Sequence, residues 1–183
     1  MCNCPFFWIL LLLLLSACGE LSEHEAEQVR STLQDSLLTT TESWDIDMQL
    51  MEQGQRRVLL QGRYAIDYTE KNEDRETHIQ GPVYIQIYDS TGTLESEAWS
   101  QRAIYRQESR EFELFDSVRV ETATDRRLLS SYLHWFEETG QIRSNRHVTI
   151  ITPSDSISGS GFEGKSDLSS YTITDPRGRV IVD

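Results

Sequence analysis

The run Phe112-Glu113-Leu114-Phe115-Asp116-Ser117-Val118-Arg119-Val120-Glu121 sets Phe112, Leu114, Val118 and Val120 on one parity, with Glu113, Ser117, Arg119 and Glu121 on the other. A period of two sends successive side chains to opposite faces of an extended chain, so this run predicts a strand with one buried and one wetted face. The period extends outward in both directions. Toward the N-terminus it is kept by Val83, Ile85 and Ile87. It is kept again by Val58, Leu60, Tyr64, Ile66 and Tyr68 against Gln61, Arg63 and Asp67, and by Trp44, Ile46, Met48 and Leu50 against Asp45, Asp47 and Gln49. Toward the C-terminus Val148 and Ile150 repeat it. Turn-forming clusters separate the runs at Glu52-Gln53-Gly54-Gln55, Asp89-Ser90-Thr91-Gly92, Ala123-Thr124-Asp125, Glu138-Thr139-Gly140 and Pro153-Ser154-Asp155. With no long helix-period run among them, the pattern predicts an antiparallel all-β domain, which a sandwich, a jelly roll or a barrel would each satisfy.

A weak internal repeat runs through the same region. Val83, Val118 and Val148 each read as the opening of a strand, followed by a polar turn and then by Leu94-Glu95-Ser96, Leu129-Ser130-Ser131 and Ile157-Ser158-Gly159. Hairpins stacked on hairpins in this way predict an elongated sheet. Gly159-Ser160-Gly161-Phe162-Glu163-Gly164 matches the dinucleotide pattern letter for letter, but Tyr171-Thr172-Ile173 follows it as another β-like run where that fingerprint needs a helix. A close backbone approach at the glycines is the expected reason for them.

The N-terminus reads differently. Phe6-Phe7-Trp8-Ile9 and the leucines through Leu15 form an apolar stretch shorter than the ~20 residues a spanning helix needs, and Leu15-Ser16-Ala17-Cys18-Gly19 follows at once as a lipobox. Residues 1–17 are therefore expected to be a signal peptide, although no Lys or Arg precedes the apolar run. Cys18 is expected to be the lipidated first residue of the mature chain. Residues 18–43 would then be a tether with Val29, Leu33 and Leu37 on one helical stripe, and 44–183 a single β domain. Cys2 and Cys4 would leave with the signal peptide, so no thiol would remain for a disulfide or a thiolate metal site.

The formal net charge of −13 argues against nucleic acid as a partner. His24, His78, His134 and His147 have no metal-ligand spacing, and no nucleophile elbow or similar cassette occurs, so neither a metal, a cofactor nor an enzyme activity is expected. Glu111 and Glu113 read as a charged face. Arg102, Arg106, Arg110, Arg126, Arg127, Arg143 and Arg146 are expected to pair across strands with the many carboxylates, the alternative being contact with phosphate groups of a glycolipid.

Several stretches, in order, carry a resemblance: Ala103-Ile104-Tyr105, the run from Phe112 to Val120, Leu129-Ser130-Ser131-Tyr132-Leu133-His134-Trp135, Gln141-Ile142-Arg143-Ser144 with Val148, and Ile157-Ser158-Gly159-Ser160-Gly161-Phe162. From about Gly81 to Gly178 the chain resembles the periplasmic LptC family, within the OstA-like group of lipopolysaccharide transport proteins. The resemblance implies a single elongated, curved antiparallel β-jellyroll, non-enzymatic, at the periplasmic face of the inner membrane. Its interior groove would hold the acyl chains of lipid A, received from the inner-membrane ABC transporter and handed to a soluble β-jellyroll bridge protein. An open sheet edge is the means of that second contact, and the run from Arg179 to Val182 is its candidate. The inward parity then names the lining as Val83, Ile85, Ile87, Ile104, Phe112, Leu114, Val118, Leu133, Trp135, Val148, Ile150 and Phe162. Many family members carry a full membrane helix where this chain has its lipobox. Two other readings share the amphipathic strands: an envelope lipoprotein that binds another lipid or a lipoprotein, and a purely structural one with a core filled by its own side chains.

Overall fold

The computed structural model describes residues 39–69 and 74–180; the signal peptide, Cys18, the stripe Val29, Leu33 and Leu37, and the last three residues lie outside the described residues. The described chain is all β. Six long strands come first: β1 (Thr39–Glu52), β2 (Gln55–Thr69), β3 (Arg75–Tyr88), β4 (Leu94–Arg106), β5 (Glu111–Thr122) and β6 (Arg127–Phe136). Six short ones follow: β7 (Gln141–Ser144), β8 (Val148–Ile151), β9 (Asp155–Gly159), β10 (Gly161–Lys165), β11 (Tyr171–Thr174) and β12 (Arg177–Val180). All the pairings are antiparallel and form one open sheet in the order β1-β2-β3-β4-β5-β6-β7-β10-β11, with β8, β9 and β12 branching from β6. Strand pairing reaches back to Thr39, ahead of Trp44. All five turn clusters named above connect consecutive strands.

The branch has a simple origin. One stretch of β6, Arg127–Ser130, pairs with β8, and the other, His134–Phe136, pairs with β7. The short strands thus come in pairs, β7 with β8, β9 with β10 and β11 with β12, each a single strand interrupted partway. The interruptions line up with irregularities in the long strands, which fall at Asp45, at Gly62-Arg63, at Gly81-Pro82, at Ser100-Gln101, at Asp116-Ser117 and near Ser131. A bulge adds a residue to one strand and bends it. A row of them across every strand folds the whole sheet along one corner into two leaves. The first leaf holds β7, β10, β11 and the matching halves of the long strands, including 102–106 and 111–115. The second holds β8, β9, β12 and halves including 83–88 and 118–122.

The corner is built from residues suited to it. Asp45, Asp116, Ser117 and Asp175 take positive φ values of 51, 64, 54 and 48°, a conformation short polar residues tolerate better than most. Serines satisfy carbonyls that the interrupted ladder frees: Ser100 Oγ donates to the Arg102 carbonyl at 2.9 Å, Ser144 Oγ to that of Tyr132 at 2.8 Å and Ser130 Oγ to that of His147 at 3.0 Å. Gly159 closes β9 where the chain crosses between leaves, and a Cβ there would overlap the Ile173 side chain and the Thr174 carbonyl. Close approach, with strands on both sides, accounts for the glycine pattern.

The corner also corrects three expectations. Val83 and Val118 do not open strands; each resumes one just past its bulge, and only Val148 begins an element. In β2 the parity flips at Gly62-Arg63, so that Val58, Leu60 and Ala65 face the core. Tyr64 lies across from Trp44 on the outer face, ring centroids 5.6 Å apart. In β4 the flip at Ser100-Gln101 sends Ala103 and Tyr105 inward and leaves Ile104 half-buried on the outer face, opposite His78 and Glu113.

Candidate functional site

Eleven of the twelve expected lining residues meet in one apolar core: Val83, Ile85, Ile87, Phe112, Leu114, Val118, Leu133, Trp135, Val148, Ile150 and Phe162 are all buried there. Ile104 is the exception, for the reason just given. Tyr105, Phe112 and Trp135 stack in a row along the first leaf, with centroids 4.4 and 4.9 Å apart. Between the leaves the side chains nearly close the space. A void of about 10 Å³ remains, lined by Ile85, Ile87, Ala98 and Val120 from the second leaf, Leu114, Leu133, Trp135 and Ile142 from the first, and Ser166. That is about the room one water needs. The interior is an apolar seam filled almost wholly by its own side chains.

The core also contains residues that sequence reasoning did not single out, among them Ala98, Ala103, Leu128, Ile142 and Leu168. Leu128 and Ile142 sit in strands whose alternation could have named them. Leu168 could not be found that way, since it lies in the turn between β10 and β11.

Where the free ends of the two leaves meet, opposite the corner, polar contacts join them. Ser166 Oγ donates to Glu95 Oε1 at 2.8 Å, and Arg126 Nη1 to the Leu168 carbonyl at 2.6 Å. Arg110, at the start of the first leaf's half of β5, pairs with buried Glu137 at 2.5 Å and reaches Glu52, on the second leaf, at 3.6 Å. Beside these contacts lies a polar vestibule of about 180 Å³ walled by Arg57, Glu95, Glu137 and Glu138, which shares Ile87, Trp135 and Ser166 with the seam.

The outer face of the first leaf is a ladder of charge pairs. Arg106 joins Glu76 on β3 at 3.0 Å to Glu113 on β5 at 2.5 Å; Tyr132 on β6 donates to Glu113 at 2.6 Å; His134 meets Glu111 at 3.2 Å and Arg143 meets Glu163 at 3.0 Å. Burial favours the protonated form of Glu113, but the Tyr132 hydroxyl and the Arg106 guanidinium outweigh it and hold its carboxyl below the ordinary range. On the second leaf, burial and then the bond to Glu97 push the Tyr84 hydroxyl up to about 12. Arg102 pairs with Asp116 at 2.7 Å and Arg127 with Glu121 at 3.7 Å. Cross-strand pairing is thus where most of the named arginines go. Among the described residues no His, Cys, Asp and Glu group is arranged to hold a metal ion, and no helix is long and apolar enough to cross a membrane.

A search of curated proteins finds no match to the chain. The profile of one family, described as lipopolysaccharide-assembly, LptC-related, matches residues 8–176. The match reaches well beyond the segment that carried the resemblance, taking in β1 to β3 and part of the apolar N-terminal run. It brings with it a role in lipopolysaccharide transport, in a family of periplasmic, inner-membrane-associated export components and not a known enzyme family. An open antiparallel sheet folded on an apolar interior accords with that role, and the chain belongs to the LptC family.

Proposed function

We propose that this protein accepts lipopolysaccharide from the inner-membrane ABC transporter, holds its acyl chains between the two leaves, and passes it to a soluble β-jellyroll bridge protein through the C-terminal edge of the sheet. The observation that supports this most is the single apolar core shared by both leaves of a sheet that never closes into a barrel. Acyl chains that replace leaf-to-leaf contacts keep that surface out of water. Each methylene transferred is worth about 0.8 kcal/mol, so the compensation grows with the length of acyl chain buried. A photoreactive residue at position 112 or 118 is expected to crosslink lipopolysaccharide in cells, and one at outward-facing 113 or 119 is not. Equal labelling at both parities, or none, would reject the reading.

The chain is held at the membrane, in the same proposal, by a lipidated Cys18, the reading supported by the lipobox Leu15-Ser16-Ala17-Cys18. The mass of the mature N-terminus decides it: a diacylglyceryl adduct on Cys18 is expected, and detection of intact residues 1–17 would overturn it.

The near-closed seam of about 10 Å³ favours a second reading, a structural envelope lipoprotein whose core is filled by its own side chains. Purified protein free of bound lipid, together with no labelling at position 112, would be its signature.

A further inference from the structure

At the free ends of the leaves, the turn between β10 and β11 points its apolar residue inward. Leu168 is fully buried although its backbone holds φ at 54°, a left-handed conformation costly to a residue with a Cβ. Such strain persists only where surrounding contacts impose it, and it gathers at clamps and switches. Within its own leaf the turn is held by the Leu168 amide on the Lys165 carbonyl at 3.0 Å and the Ser166 amide on the Gly140 carbonyl at 2.8 Å, and two side-chain contacts reach it from across the seam. The Arg126 guanidinium takes the Leu168 carbonyl and the Glu95 carboxylate takes the Ser166 hydroxyl, both from the opposite leaf and both at the rim. Bonds of this kind exchange readily with water, and no backbone ladder joins the two leaves, since each pairing stays within one of them. The turn also stands between two spaces, the polar vestibule of about 180 Å³ outside and the apolar seam inside. Where they adjoin, Trp135 Nε1 is buried with no acceptor among the described residues, a donor left over by the closed state.

We infer that the turn from Ser166 to Ser170 is a latch over the acyl-chain site. Leu168 fills the place of the methylenes nearest an acyl carbonyl, and Trp135 Nε1 donates to that carbonyl once the turn lifts. The inference rests on the acyl-binding reading above and adds where the chain goes in and what bars it. Lifting the turn removes one leucine from the core, breaks the two side-chain bonds to the opposite leaf and the Ser166 amide bond to the Gly140 carbonyl, and relaxes one strained residue, while the β ladders stay whole. An ester or amide carbonyl suits the orphan donor better than a phosphate does, because three carboxylates, Glu95, Glu137 and Glu138, outnumber the one guanidinium, Arg57, in the vestibule wall.

The test uses the full-length protein in cells, carrying a photoreactive phenylalanine derivative at position 112, with lipopolysaccharide capture as the readout. Leu168→Gly removes the plug and suits the positive φ, so capture should rise several-fold as the open fraction grows. Leu128→Ala, an equally buried deletion near the start of β6, should not raise it. A Glu95→Cys/Ser166→Cys pair bridged by a short bis-thiol reagent should capture several-fold less than the same pair unbridged, with the chain lacking the pair treated alike as control. Trp135→Phe removes the unpaired donor together with part of a buried ring, so it should lower capture and also lower the folding midpoint as a buried truncation does. Capture that is indifferent to the bridge, or raised as much by Leu128→Ala as by Leu168→Gly, overturns the latch and leaves the groove standing. Unchanged capture in Trp135→Phe overturns the donor's role. If the chain without latch changes captures nothing at position 112, the acyl reading fails first, and the latch with it.

Discussion

Glu113 shows how a single side chain reports on the outer face. It accepts from Arg106 on β4 and Tyr132 on β6, so it ties three strands together, and its carboxyl is held below its ordinary range by those two partners against the effect of burial. A group whose folded pKa lies below its unfolded value stabilises the fold above the unfolded value, about 4.3, and loses that contribution as pH falls through the folded one. Glu113→Gln is therefore expected to cost about 1–2 kcal/mol at neutral pH, and to flatten the loss of stability between about pH 5 and pH 3. Denaturant midpoints across that range check it; an unchanged acid limb would show that Glu113 is not the group responsible. The sequence made the pairing of these arginines readable, because opposite charges alternate along neighbouring strands. It did not make Ile104 readable. Ala103-Ile104-Tyr105 offers apolar residues on both parities, and the small Ala103 goes inward only because the bulge at Ser100-Gln101 shifts the register upstream of it.

At the scale of the element, the deciding feature is the corner that crosses every strand. Period-two alternation resumes on the far side of each bulge, so each strand reads as regular in its halves while the parity between halves flips in β1, β2, β4 and β6. The all-β class and the five turns are local properties and were legible. The corner is a property of neighbouring strands in register, and it shows in the sequence only as recurrent Gly, Ser and Asp between apolar runs. Gly62 is one of its tight points: a Cβ there would overlap Ile79 Cγ2 and press on Ile46. Gly62→Val is expected to destabilise the domain by about 1–3 kcal/mol through overpacking. Ile79→Ala, costly alone, should recover part of that loss in the double variant, because the two sites share one space. Additive costs in the cycle would mean that Gly62 matters for its backbone freedom and not for the neighbour it admits.

For the whole domain the open question is what meets its edges. A folded sheet that does not close leaves β1 as one edge and β11 with β12 as the other, each paired on one side only among the described residues. Such edges present unsatisfied N–H and C=O groups and accept an added strand from a similar sheet. The two differ in what surrounds them. β1 follows the segment that begins at the lipobox, and it carries Trp44 and Met51, 66 and 57 % exposed, on its surface. β11 and β12 lie at the opposite end of the sheet from β1, so a strand added there would extend the sheet away from the β1 edge. Ile173 on β11 packs against the core, which places this edge against the apolar interior. A partner strand added beside it would continue both the ladder and the apolar face, so acyl chains could slide across without meeting water. Photoreactive residues placed one at a time from 171 to 179 are accordingly expected to capture a soluble β-rich protein in cells. The same residues at positions 46 to 50 should capture an inner-membrane partner instead. Capture of the same partner at both edges, or of none at 171 to 179 in a protein that still supports lipopolysaccharide export, would mean that transfer does not run through the C-terminal edge.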